Sequence, residues 1–251
     1  MGGVIICNPP GAKLGNSCMS FLFAYAHAQR VGAEFLCPPW IGEEVFNLPA
    51  YGKPDGRELP RRSEIDLKPN ETDVEIRGYS QNQQSCIYTK KQAREWLVPK
   101  LTIEEVFPSD RADLVAVTRR GDNIAHQRKG DYLPLGYPVL AKVCIEDGIR
   151  IAGLDPDDFY IVTEEHPTPG GSAVGSNSFL PDFYRMLNAK CLFRANSSFS
   201  WLAATLSKGV IFSPIIKGLA GGIEHNLVDF VPGNWPALSD LACGSDMHLP
   251  E

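Results

Sequence analysis

The strongest constraint on the fold is the stretch Leu114 to Asp122, Leu-Val-Ala-Val-Thr-Arg-Arg-Gly-Asp. Its apolar residues run without alternation. That is the pattern of a strand covered on both faces, and such strands belong to parallel sheets clad in helices. The run ends abruptly in two guanidinium groups, a glycine and a carboxylate. In open α/β sheets, ligands bind just beyond the carboxyl ends of the strands. Arg119 and Arg120 are therefore expected at a ligand edge, where arginine's rigid donor fork matches phosphate oxygens. Gly121 lets the backbone turn there or a ligand approach closely. The functional reading is a diphosphate site. The structural alternative is a pair of surface or ion-paired arginines.

The rest of the chain fits such a sheet. Gly3 to Cys7 predicts a strand, Ser17 to Gly32 a helix and Glu34 to Cys37 a second strand, which together make a βαβ unit. Gly15-Asn16 reads as a tight turn before that helix; its N–H groups either merely start the helix or hold an anion. Residues 38–70 are rich in Pro, Gly and charge, and predict loop or edge structure. Asp73 to Arg77 is a strand leading into Gly78-Tyr79-Ser80-Gln81. Lys90 to Val98 is a helix, and Thr102 to Phe107 a helical turn with Thr102 and Glu105 spaced as a capping box. Pro108-Ser109-Asp110-Arg111 separates the halves.

The second half alternates more regularly. Strands are predicted at Leu114–Thr118, Asp158–Thr163, Cys191–Ala195 and Gly209–Phe212. Helices are predicted at Tyr137–Ala152, Leu180–Leu187 and Phe199–Ser207. This alternation gives an α/β fold: two Rossmann-like halves facing across a cleft, each a parallel sheet flanked by helices. The N-terminal half would span 1–110, the C-terminal half 111–220, and residues 221–251 would wrap the surface.

A chain of 251 residues with 43% hydrophobic and 22% charged residues can bury a real core. Its formal net charge of −6 argues against a general nucleic-acid binder, whose footprint is basic. Seven scattered cysteines with no Cys-x-x-Cys spacing argue against a zinc site or a disulfide framework. No stretch approaches the ~20 apolar residues of a membrane span, and no leader pattern stands at the start. The expectation is a cytoplasmic protein with reduced thiols.

Several chemical groups gather at strand ends of the second half. Glu164 and Glu165 follow the strand ending at Thr163, where carboxylates accept hydrogen bonds from ribose or sugar hydroxyls. Ser197 and Ser198 open a helix whose dipole favours anions. Asp182, on the preceding helix, matches the donor edge of a purine. Each has a structural alternative: a helix cap for the serines, solvated loop charges for the glutamates, a first-turn acid for Asp182. No serine-hydrolase elbow, Walker lysine loop or Gly-x-Gly-x-x-Gly turn is present.

Four blocks, in order, resemble the α-1,2-fucosyltransferase family. Leu14-Gly15-Asn16 with Phe23-Ala24-Tyr25-Ala26 is similar to its Leu-Gly-Asn-Gln block and Tyr-Ala-rich helix. Gly78-Tyr79-Ser80-Gln81 resembles Gly-Tyr-Phe-Gln. Arg119-Arg120-Gly121-Asp122 resembles the core of His-x-Arg-Arg-Gly-Asp-Tyr. Asp182 and Met186, followed by Ala195-Asn196-Ser197-Ser198-Phe199-Ser200-Trp201, resemble Asp…Met…Ala-Asn-Ser-Thr-Phe-Ser-Trp-Trp. Thr163-Glu164-Glu165 is similar to the family's Ser-Asp-Asp strand end. Val117 stands where the family has His, Asn123 where it has Tyr, Ser17 where it has Gln, and Leu202 where it has the second Trp.

The resemblance implies a GT-B fold and inverting transfer of L-fucose from GDP-fucose to a glycan hydroxyl, often position 2 of a galactose, with no cofactor and no required metal. Arg119, Arg120 and Asp122 would form the catalytic block. Gly15, Asn16, Glu164, Glu165, Asp182, Asn196, Ser197, Ser198 and Phe199 would bind the donor, and Tyr79 and Gln81 the acceptor. The partners would be a nucleotide-sugar donor and a glycan acceptor. Two alternatives stand beside this: the same scaffold with a different nucleotide sugar, since Val117 replaces the His, or a non-catalytic nucleotide- or glycan-binding module.

Overall fold

The computed structural model describes residues 2–9, 11, 14–80, 85, 87–106, 114–118, 150, 153, 160–163, 179–194 and 197–212. Most of the helix expected at 137–152, and everything beyond 212, lies outside them. The described residues fall into two compact units, one up to Thr102 and one from Ile103.

The first unit is built on a four-stranded, wholly parallel sheet. Strand β1 (Val4–Cys7) lies between β2 (Glu34–Leu36) and β5 (Val74–Ile76), and the two-residue β4 (Arg61–Arg62) forms the far edge. Helix α1 (Leu14–Val31) connects β1 to β2, the predicted βαβ unit. Its Phe21 meets Phe35 of β2 edge-on, with ring centroids 5.4 Å apart. Register pairs Ile5 with Phe35 and with Val74, so these residues share the face under the helix. The other face carries Val4, Ile6 and Leu36, and the loop residue Leu59 packs on them. Glu75 pairs with Ile6 and so shares that second face. Its carboxylate accepts from Asn8 Nδ2 (3.0 Å), Arg77 Nε (2.7 Å) and Arg61 Nε (3.3 Å). Those donors hold the carboxyl below its ordinary pKa against the opposing effect of partial burial.

Helix α1 begins three residues earlier than the sequence predicts. Gly15 and Asn16 lie in its first turn and do not form a turn ahead of it. The reason is Leu14. It is buried, and with Cys18, Phe21 and Leu22 it completes an apolar stripe at helical spacing. Glycine near a helix end costs little compared with that burial. Nearly all of α1 is buried from Leu14 to Ala28, as its apolar composition predicts.

The stretch 38–70 is mostly loop, as expected, but contains α2 (Gly42–Val45) and β3 (Phe46–Asn47), as well as β4. Strand β3 pairs antiparallel with β6 (Val98–Pro99). Between β5 and β6 stands α3 (Lys90–Trp96), opened by a capping box. Gln92 N donates to Thr89 Oγ1, and Thr89 N donates to Gln92 Oε1.

The second unit opens with α4 (Ile103–Val106). Its four-stranded sheet is also wholly parallel, in the order β10 (Val210–Phe212), β9 (Cys191–Phe193), β7 (Leu114–Thr118), β8 (Tyr160–Thr163). The constraining apolar run is thus an inner strand, as its unbroken pattern requires. Helix α5 (Leu180–Asn188) precedes β9, and α6 (Ser198–Leu206) connects β9 to β10. Phe183, Tyr184 and Met186 of α5, Leu192 and Phe193 of β9, and Trp201 and Leu202 of α6 form the buried core. The fold is therefore α/β, with parallel sheets flanked by helices. The described cysteines Cys7, Cys18, Cys37 and Cys191 are free and buried, behaving as small hydrophobes. Among the described residues no helix is long and apolar enough to cross a membrane.

Candidate functional site

In the second unit, the carboxyl ends of β7 and β9 lie side by side, and both α5 and α6 present their N-terminal ends near one another. Helix α6 starts on Ser197, an extended N-cap with φ −139° and ψ 146°. Its hydroxyl accepts from Ser200 N at 3.2 Å and lies 2.9 Å from Ser200 Oγ. Its carbonyl accepts the first helical bond, from Trp201 N, at 2.9 Å. Ser197 is 8% exposed, so its side chain belongs to the cap. The N–H groups of Ser198 and Phe199 open the helix with no intrahelical carbonyl to take them. Together with the half-exposed Ser198 hydroxyl they form a short row of donors at the positive end of the helix dipole.

Aromatic packing ties this row to α5. The Phe199 ring meets Phe179 edge-on at 6.1 Å and Phe183 at 5.8 Å. Asp182 sits in the first turn of α5, between those two phenylalanines in sequence. Partial burial raises its carboxyl pKa, against the pull of Arg185. The structure thus packs the start of α5, which carries Asp182, against Phe199 in the first turn of α6 through the rings of Phe179 and Phe183. Arg119, Arg120, Asp122, Glu164, Glu165 and Asn196 lie outside the described residues, directly after β7, after β8 and before α6.

Arg194 is a residue that sequence reasoning passed over. It follows β9 directly, three residues before the α6 cap, and is only 4% exposed. Burial pulls its pKa down to about 9, which leaves the guanidinium charged at neutral pH. The available signal was an arginine interrupting the apolar Cys-Leu-Phe run at the place where the chain prepares a helix.

In the first unit the corresponding edge holds Gly15 and Asn16 in the first turn of α1, the former buried and the latter half-buried. Ser20 Oγ donates to Gly78 O at 2.6 Å and also lies 3.2 Å from Asn16 O. This ties the start of the helix to the turn after β5. Tyr79, on that turn, is 52% exposed, and Gln81 lies outside the described residues.

No protein-family description matches this sequence, and no curated protein does. Among solved structures, the selenomethionine form of the fucosyltransferase NodZ from Bradyrhizobium matches with a TM-score of 0.50 at 14% identity, over 88% of this chain and 97% of that one. NodZ α-1,6-fucosyltransferase soaked with GDP-fucose matches at 0.48 and 16% identity, over 82% and 93%. The dodecameric glycosyltransferase TibC from enterotoxigenic E. coli matches at 0.43 and 12% identity, over 84% and 58%. At such identities the likeness is one of fold, and the α/β architecture is what this chain shares with the Bradyrhizobium NodZ structure.

Proposed function

We infer that the chain is an inverting fucosyltransferase that moves L-fucose from GDP-fucose to a glycan hydroxyl, with position 2 of a galactose as the acceptor site. The observation that supports this reading is the packing of Phe179 and Phe183, at the start of the helix that carries Asp182, against Phe199 at the amino end of α6, next to the donor row of Ser198. A guanine nucleotide needs three things that this neighbourhood supplies: a carboxylate for its N–H edge, an apolar surface for its ring and N–H donors for its phosphates. The sequence blocks that resemble the α-1,2-fucosyltransferases contain these same residues, and the fold likeness to NodZ agrees with them.

The chemistry follows from charge. As the glycosyl bond breaks, GDP departs and its β-phosphate gains negative charge. Arg119 stabilises that charge, with the α6 N-terminus and Ser198 assisting, and the donors are set before the reaction begins. Glu164 and Glu165 accept from ribose hydroxyls, and Asp122 or Glu164 takes the acceptor's proton. Positive charge from arginine does the work a metal would do, so chelation leaves turnover unchanged.

Nucleotide titration tests the binding half of this reading. Wild type binds GDP more tightly than ADP. Asp182→Asn removes that preference, and Arg119→Ala abolishes transfer while the fold survives. Equal binding of the two nucleotides by wild type, or near-wild-type turnover by Arg119→Ala, overturns the assignment.

A further inference from the structure

The turn after β5 carries a second feature that the donor site does not use. Ser80 is 2% exposed, and its hydroxyl has no hydrogen-bond partner. Its backbone is left-handed, with φ 47°, and Gly78 two residues earlier is at φ 131°. A buried hydroxyl left unpaired is costly, and a non-glycine residue at positive φ adds strain. Such costs persist where surrounding structure imposes them. Here Ser20 does so, by anchoring Gly78 O to the second turn of α1. Between these two positions stands Tyr79, with more than half its surface exposed and no hydrogen bond to hold its ring. The turn follows the carboxyl end of an inner parallel strand, where α/β sheets take ligands.

We propose that Tyr79 and Ser80 form a carbohydrate subsite on the first unit, in which the Tyr79 ring stacks on a pyranose face and the Ser80 hydroxyl bonds a sugar hydroxyl. The pairing of ring and hydroxyl matches a sugar, which offers an apolar C–H face and a dense rim of hydroxyls. A nucleotide phosphate would call for cations, and neither residue supplies one. Because Ser80 is buried in the free protein, the turn opens slightly as the sugar enters. The unpaired hydroxyl and the left-handed backbone make the closed form easier to leave. The inference rests on the fucosyltransferase reading only in naming this sugar the acceptor.

Three variants of the full chain test it: Ser80→Ala, Tyr79→Ala and Tyr79→Phe. The readouts are binding to a panel of immobilised neutral oligosaccharides, with β-galactosides included, GDP affinity and melting temperature. Ser80→Ala is expected to bind sugar about tenfold more weakly, one hydrogen bond's worth, with GDP affinity unchanged and a melting temperature equal to or above wild type. Tyr79→Ala loses sugar binding and Tyr79→Phe keeps it. The proposal is overturned if wild type binds no sugar on the panel, or if Ser80→Ala retains full sugar binding. It is also overturned if Ser80→Ala melts several degrees lower, since the hydroxyl would then serve the folded structure. GDP binding without sugar binding would sink the subsite and leave the donor reading standing. Sugar binding that falls in Ser80→Ala, without GDP binding, would do the reverse.

Discussion

His27 shows how one side chain's protonation state follows from its neighbours. It is fully buried in α1. Arg30 Nη2 lies 2.8 Å from its Nδ1 and can only donate, so Nδ1 accepts. The ring proton is therefore on Nε2, which donates to Glu71 O at 2.8 Å. Burial lowers its pKa below 6.5; the Glu71 carbonyl opposes that shift and Arg30 adds to it. The sign for stability is fixed by this direction. The neutral ring is favoured in the folded state, so the contribution is full above the unfolded value of 6.5 and is lost as pH falls from there through the folded value. Wild type is expected to lose more melting temperature between pH 7 and pH 5 than His27→Gln, which does not titrate. Parallel pH profiles would contradict the assignment. At this scale the sequence was partly legible. The places of Asp182 in the first turn of α5 and of Ser197 and Ser198 at the start of α6 were readable, because residue type near a helix start is set by local chemistry. Arg194 and Ser80 were not, because burial of a charge or a hydroxyl depends on packing across elements that are distant in the chain.

The Ser197 cap commits one hydroxyl to Ser200 N, and capping serines are typically worth about 1 kcal/mol. Ser197→Ala should therefore lower stability by roughly that amount and leave Ser198's donors in place. Gly209 stands at the entry to β10, and a Cβ there would run into the carbonyl oxygens of Ala189 and Lys190. Overpacking of this kind costs about 1–3 kcal/mol, so Gly209→Ala should destabilise more than Ser197→Ala. Denaturant midpoints rank the two, and the reverse order would refute the packing account. Element types were readable from pattern: β1, β5, α5 and α6 lie within one or two residues of their predicted places. The start of α1 was misread because Gly15-Asn16 carries turn chemistry, and the buried stripe beginning at Leu14 overrides it. The short β3, β4 and β6 were invisible because two-residue strands have no period to detect.

At the scale of the molecule, two units each carry a four-stranded parallel sheet. The α/β class followed from apolar strands alternating with helical segments, a property of the whole chain that no single loop can obscure. In the first unit the second sheet face is covered in part by Leu59 from a loop and carries the ion-paired Glu75. That asymmetry was not readable, because the Pro- and Gly-rich stretch supplying Leu59 has no regular pattern. The functional account divides labour between the units: nucleotide chemistry at the ends of α5 and α6, sugar recognition at the turn after β5. The measurement that tests its central claim is the mass of simple β-galactosides incubated with the full chain, GDP-fucose and excess chelator. The account predicts a product heavier by one deoxyhexose. Acceptors of unchanged mass, with GDP-fucose left intact and GDP unbound, would contradict it.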